Sequence, residues 1–182
     1  MTRTKWTLDP THSTLGFKVK HLMITNVSGS FKKFNAEVET NGTDLSTATV
    51  QLKADISSID TNNAQRDGHL RSSDFFEAEK FPEMIFESTK VEKIDDVNYH
   101  VFGNLTMKGV TKPVKLTVEY SGVTKDPWGG ERAGFTITGK VNRTDWGINF
   151  NAVLETGGLM LSEEVKINSE IQLVKQAALV AA

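Results

Sequence analysis

Along most of the chain, apolar and polar residues take turns one by one. Between Thr47 and Ile56 the even positions Ala48, Val50, Leu52, Ala54 and Ile56 are apolar, whereas Thr47, Thr49, Gln51, Lys53 and Asp55 are polar. A period of two marks a half-buried strand, because successive side chains of an extended backbone leave on opposite faces. The same alternation runs through Leu15-Phe17-Val19, Tyr99-Val101-Gly103-Leu105-Met107, Val114-Leu116-Val118-Tyr120, Ala133-Phe135-Ile137-Gly139-Val141 and Val165-Ile167-Ser169-Ile171-Leu173. Two stretches change phase. Odd Val27, Gly29 and Phe31 give way to even Phe34, Ala36 and Val38 across Lys32-Lys33, and Met84 and Phe86 give way to Val91. A β-bulge at such a switch restores register and bends the strand. With a short strand at Trp6–Leu8, the pattern predicts about eight or nine strands.

Turn residues separate these runs, in "NGTDLS", "KIDDVN", "MKGVTKP" and "KDPWGGER". Such short links join antiparallel neighbours, since a parallel pair needs a crossover of about a dozen residues. Only Asp60 to Phe81 lacks alternation and has room for one. It reads as a short helical crossover around residues 61–76, capped by Asp60 or Thr61, with Asp67 and Arg71 at i,i+4 and Leu70 as its apolar anchor. Ser72 or Ser73 is placed to cap a second turn before Phe75 and Phe76. The fold class is therefore all-β and antiparallel, either a sandwich or a barrel. The inferred bulges, the interior glycines Gly103 and Gly139, and the scarcity of helix to cover a flat sheet favour a barrel. No repeat or linker divides the chain, so residues 1–182 read as a single domain with its core at about 5–175.

The inward face mixes large side chains (Phe17, Phe31, Phe86, Leu116, Phe135) with small ones (Ala36, Ala48, Ala54, Ala133), so the interior is either a solid core or an apolar cavity. If hollow, its wall comprises Phe17, Val19, Phe31, Phe34, Val38, Val50, Leu52 and Ile56 from the first half of the chain. Phe86, Leu105, Met107, Leu116, Phe135 and Ile137 continue it in the second half. A cavity of this kind suits a chain-like lipid.

Composition narrows the field. The formal charge of −2 provides no field for a polyanion, so nucleic acid is a poor partner. The absence of cysteine excludes disulfides, thiolate metal sites and cysteine nucleophiles. "MTRTKWTLDP" has no apolar run of the secretory type, and the longest apolar run, "AALVAA" at the C-terminus, is too short to span a bilayer. The expectation is a cytoplasmic protein without a transmembrane segment.

Four stretches, "LDPTHSTLGFKVKHLMITNVSGSFKKFNA" from Leu8, "SIDTNNAQRDGHLRSSDFFEAEKFPEMIFES" from Ser58, "GNLTMKGVTKPVKL" from Gly103 and "NRTDWGINF" from Asn142, resemble in order and spacing the signatures of the YceI-like family of lipid-binding proteins. The resemblance spans nearly the whole chain. It implies a lipocalin-like, eight-stranded antiparallel β-barrel, extended by short helices, that holds a long polyisoprenoid chain, so that the protein binds rather than catalyses and no cofactor is expected. It also implies that Phe75, Phe76 and Phe81 are wall or plug residues at the barrel end and that Trp146 is a closing aromatic. Arg66, Asp67, Arg71 and Asp74 are then expected to hold the crossover by ion pairs and caps. Many relatives are exported, and this chain differs from them in showing no signal peptide.

Polar chemistry concentrates in "RDGHLRSSDFF", Arg66 to Phe76. Beyond bracing the crossover, Arg66 and His69, with His21 at the inward parity of Phe17 and Val19, are candidates for a polar mouth that receives a lipid head group, for which the planar guanidinium fork is well shaped. His12 reads as a turn residue and His100 as outward-facing. The spacing of His12, His21 and His69 matches no metal-ligand motif, and there is no nucleophile elbow. Two rivals stand beside the carrier: an enzyme acting on such a lipid through His21, Arg66 and Asp67, and a filled-core interaction module. A homodimer through an open strand edge is compatible with each.

Overall fold

In the computed structural model, which describes residues 2–177, the alternating runs become eleven antiparallel strands of one continuous sheet. They are β1 (Arg3–Leu8), β2 (Thr14–His21), β3 (Thr25–Phe31), β4 (Phe34–Asn41), β5 (Asp44–Asp55), β6 (Ile59–Asp60), β7 (Glu83–Lys93), β8 (Asn98–Met107), β9 (Val110–Lys125), β10 (Glu131–Asn142) and β11 (Leu161–Lys175). The order β1-β4-β5-β7-β8-β9-β10-β11 returns to β1 through Trp6↔Lys175 and Leu8↔Leu173, closing an eight-stranded antiparallel barrel. Closure removes every free edge from that ring. One short helix, α1 (Ala64–Arg71), lies between β6 and β7, and no described helix is long and apolar enough to cross a membrane.

The three extra strands arise because three neighbouring courses of the barrel break at one level. β1 and β2 both pair with β11 and are separated by a 3-10 turn at Pro10–His12, where Pro10 has no N–H to donate to a ladder. β3 and β4 are separated by Lys32-Lys33, and β5 and β6 by a 3-10 turn at Ile56–Ser58. Ser58 stitches this seam: its carbonyl accepts from Lys32 N at 3.1 Å and its hydroxyl from Lys33 N at 3.0 Å, while Asp55 N donates to Lys33 O at 2.9 Å. The phase change at Lys32-Lys33 is therefore not a bulge in one strand, as the pattern suggested, but a break across which the chain moves from β2 to β1 as its partner. The second phase change is a bulge. Register shifts between Ser88 and Lys90, opposite Gly103. A Cβ on Gly103 would lie 2.5 Å from both Glu87 O and Phe86 Cζ, so glycine is what allows the Phe86 ring to cross the neighbouring strand.

The two ends of the barrel differ. At the Trp6 end, Trp6, Leu8, Ala36, Ala133, Ile171 and Leu173 form a compact cluster. Trp6 Nε1 donates to Thr40 Oγ1 at 3.4 Å, and the fully buried Thr40 hydroxyl donates to Gly42 O at 2.8 Å. Asp9 fastens this end from outside. It accepts from Arg132 Nη1 at 2.6 Å, Gln172 Nε2 at 3.1 Å and Thr11 N at 3.0 Å, with His12 Nδ1 at 2.8 Å, which makes His12 the turn residue expected. Burial pushes the Asp9 carboxyl up, but hydrogen bonds from Thr11 and His12 outweigh it and hold the group well below the usual carboxylate range.

At the other end the chain leaves the sheet twice. One excursion is the crossover through α1, which joins no parallel strands because β7 pairs antiparallel with both β5 and β8. The second, which alternation did not announce, runs from Arg143 to Met160 and contains a 3-10 turn at Arg143–Trp146. Lys108 of the β8–β9 turn bridges them, donating to Ser73 O at 3.3 Å and Gly147 O at 3.4 Å.

Candidate functional site

The interior is hollow. A cavity of about 480 Å³, within the ~300–1,000 Å³ usual for small-molecule pockets, runs along the barrel axis toward the helical end. Its wall is built from the inward-facing residues of nearly every strand, so the period-two pattern that produces the sheet also makes the lining apolar. A second, smaller hollow lies at the Trp6 end, and Val38, Leu45, Phe135 and Leu173 border both, standing between them.

Most of the expected lining residues stand on the wall of the main cavity: Phe17, Val19, His21, Phe31, Val38, Val50, Leu52, Arg66, His69, Leu70, Phe75, Phe76, Phe86, Leu105, Met107, Leu116, Phe135 and Ile137. Four do not. Phe34, just past the seam, is packed between the two core clusters. Ile56 is 1% exposed because the 3-10 turn takes it out of the alternation of β5. Phe81 lies outside the cavity against the β8–β9 turn, where a Cβ on Gly109 would come within 2.8 Å of its ring. Trp146 is 2% exposed and anchored behind the wall, its Nε1 donating to Leu105 O at 2.9 Å.

Aromatic rings line the helical end. Phe17, Phe31 and Phe76 form a row with centroids 5.8 and 6.0 Å apart. His69, Phe75 and Phe150 form a triangle with sides of 5.0, 4.7 and 5.1 Å. Such tilted and edge-to-face contacts stiffen the rim of a pocket without filling it.

The polar crossover is held mainly by hydrogen bonds rather than by the expected ion pairs. The helix N-cap is Asn63, whose side chain accepts from Arg66 N at 3.0 Å; Asp60 is occupied in a turn of its own with Asn62 N. Asp67 does not pair with Arg71. It turns inward and accepts from Thr61 N at 2.9 Å and Thr61 Oγ1 at 2.5 Å. Arg66 donates to Thr61 Oγ1 at 2.8 Å and Thr61 O at 2.7 Å, and His69 Nε2 lies 2.8 Å from Asp74 Oδ2. Arg71 forms no ion pair among the described residues. The buried Asp67 carboxylate is thus engaged by Thr61. Among the described residues no group of three or more His, Asp or Glu side chains is arranged to hold a metal ion.

Sequence reasoning missed several wall residues. Phe150, Met160 and Leu161 belong to or follow the second excursion, which carries no periodic signal. Arg143 is another, and it had a signal, since it continues the odd inward parity of Ile137, Gly139 and Val141.

The profile of the YceI-like domain matches residues 6–173. This chain belongs to the YceI-like family. A UPF0312 protein of Staphylococcus aureus is 42% identical over 170 residues, covering 93% of this chain and 96% of the relative. The crystal structure of the Campylobacter jejuni YCEI protein superposes with a TM-score of 0.74 at 33% identity, covering 87% of this chain and 90% of that one. A domain from Saccharophagus degradans shares the fold with a TM-score of 0.67 at 16% identity over 95% of this chain and 98% of its own. The YceI-like barrel is therefore the established architecture, and the hollow interior lies within the matched region.

Proposed function

We propose that this chain is a carrier that holds one long-chain isoprenoid lipid, such as a polyprenyl alcohol, a polyprenyl phosphate or the tail of a quinone, inside its barrel. The observation that carries this reading is the continuous apolar cavity of about 480 Å³, walled by residues from nearly every strand. Burial of hydrocarbon releases about 0.8 kcal/mol per methylene, so a chain of about twenty carbons gains on the order of 10 kcal/mol before the costs of association are subtracted. Polar contacts are then needed for orientation, not for affinity. The fold neighbour from Saccharophagus degradans is described as a polyisoprenoid binding domain implicated in plant cell wall breakdown, which is consistent with this use of the architecture. The reading calls for no cofactor.

The test is direct. Protein purified without added lipid is analysed by native mass spectrometry, and an organic extract of it by lipid mass spectrometry. One isoprenoid per chain is the expected result. A lipid-free protein that also fails to take up geranylgeraniol would overturn the proposal, and turnover of the added lipid would replace it with an enzymatic one.

A further inference from the structure

Two arginines stand on the cavity wall, and they are in opposite states. Arg66 spends Nε and Nη2 on Thr61. Arg143 is more deeply buried, with 5% of its surface exposed. Its Nε donates to Ser162 O at 2.9 Å, and its Nη1 to Ile148 O at 2.8 Å and Phe150 O at 2.9 Å. Its Nη2 exposes less than 1 Å² and meets no acceptor, the one such buried side-chain atom among the described residues. Arg143 forms no ion pair among those residues, although Glu163 acts on it as a more distant opposite charge. Three backbone carbonyls orient the guanidinium but leave it a net cation, and a buried cation with an idle donor is costly to maintain. Guanidinium groups stay protonated, so the charge persists.

Resting on the carrier reading, we infer that Arg143 is the seat of an anionic oxygen head group, a carboxylate or a phosphate, whose chain occupies the apolar cavity. The unpaired Nη2 donor acquires its acceptor when such a ligand binds. A charge-assisted bond in a water-poor site is also the contact that best separates an acid from the matching alcohol. Nη2 is covered, so the ligand must part the side chains above it.

The experiment compares ligands that share a chain and differ in the head. Delipidated protein is titrated with geranylgeranyl monophosphate against geranylgeraniol, and with phytanic acid against phytol, for wild type and Arg143→Gln. In wild type at least one acid should bind tighter than its alcohol by about tenfold or more, and the preference should collapse toward unity in Arg143→Gln. The acid with the larger preference identifies the head group. Equal binding of acids and alcohols by wild type, or a preference that survives Arg143→Gln, overturns the inference and leaves the carrier intact. Failure of all four to bind overturns both. If Arg143→Gln does not fold, a crystal structure of wild type with the preferred acid decides: a head-group oxygen at about 3 Å from Nη2 supports the seat, and one placed elsewhere removes it.

Discussion

The Trp6 end and the helical end are made from the same strands but meet opposite demands. At the Trp6 end, side chains of the neighbouring strands β10, β11, β1 and β4 cluster beside a smaller hollow, and the polar atoms of Trp6, Thr40 and Asp9 all have partners. At the helical end the walls stand apart, rings meet at edges, and one nitrogen of a buried cation lacks an acceptor. The contrast teaches where free energy is kept. One end stabilises the fold, and the other retains unmet interactions that a ligand can complete.

Substitutions can break or sharpen this contrast. The largest effect is expected for Trp6→Ala, which should cost about 3–5 kcal/mol in urea denaturation because it removes the largest buried side chain of the cluster at that end. Phe76→Ala, on the cavity wall, should cost clearly less; equal losses would erase the distinction between the ends. Next is Ala48→Phe, which points new volume into the cavity. It should reduce lipid uptake about tenfold or more, measured by native mass spectrometry, while stability shifts by less than about 2 kcal/mol.

Asp9 tests the electrostatics of the closed end. Its folded carboxyl titrates below its unfolded value, so its stabilisation is complete above the ordinary carboxylate pKa and is lost as pH falls below about 4. Asp9→Asn should lower stability at pH 7 by about 1–2 kcal/mol and flatten the acid limb of the denaturation curve. An unchanged acid limb would show that the stabilisation lies elsewhere. The smallest effect belongs to the β2–β3 turn. Leu22 and Met23 both adopt left-handed backbone, with φ of 52° and 63°, in a tight reversal closed by Ile24 N to His21 O at 3.2 Å. That geometry favours Asn-Gly. Met23→Gly should raise the thermal midpoint slightly, by about 1 kcal/mol in stability.

Much of the barrel was legible from residue order alone, since alternation is a direct consequence of a sheet wet on one side and greasy on the other. The cavity wall followed for the same reason wherever a strand stayed regular. It failed at Phe34 and Ile56, which border the seam, because three courses break together there and parity no longer reports direction. Phe81 and Trp146 were misplaced for another reason. They sit in irregular segments whose orientation depends on partners distant in sequence, Gly109 for one and Leu105 for the other. Arg143 obeyed parity and was passed over because a charged residue in an inward series contradicts the apolar rule. That contradiction is what marks it as a site.

Val38, Leu45, Phe135 and Leu173, standing between the two hollows, give the interior a floor. In the carrier proposed above, a guest seated at the helical end meets a stop at a fixed depth, so the barrel would work as a gauge: tails that reach the stop fit, shorter ones leave dead space, and longer ones must double back or protrude. Trimming Phe135 would lower that stop and lengthen the tails the barrel accepts.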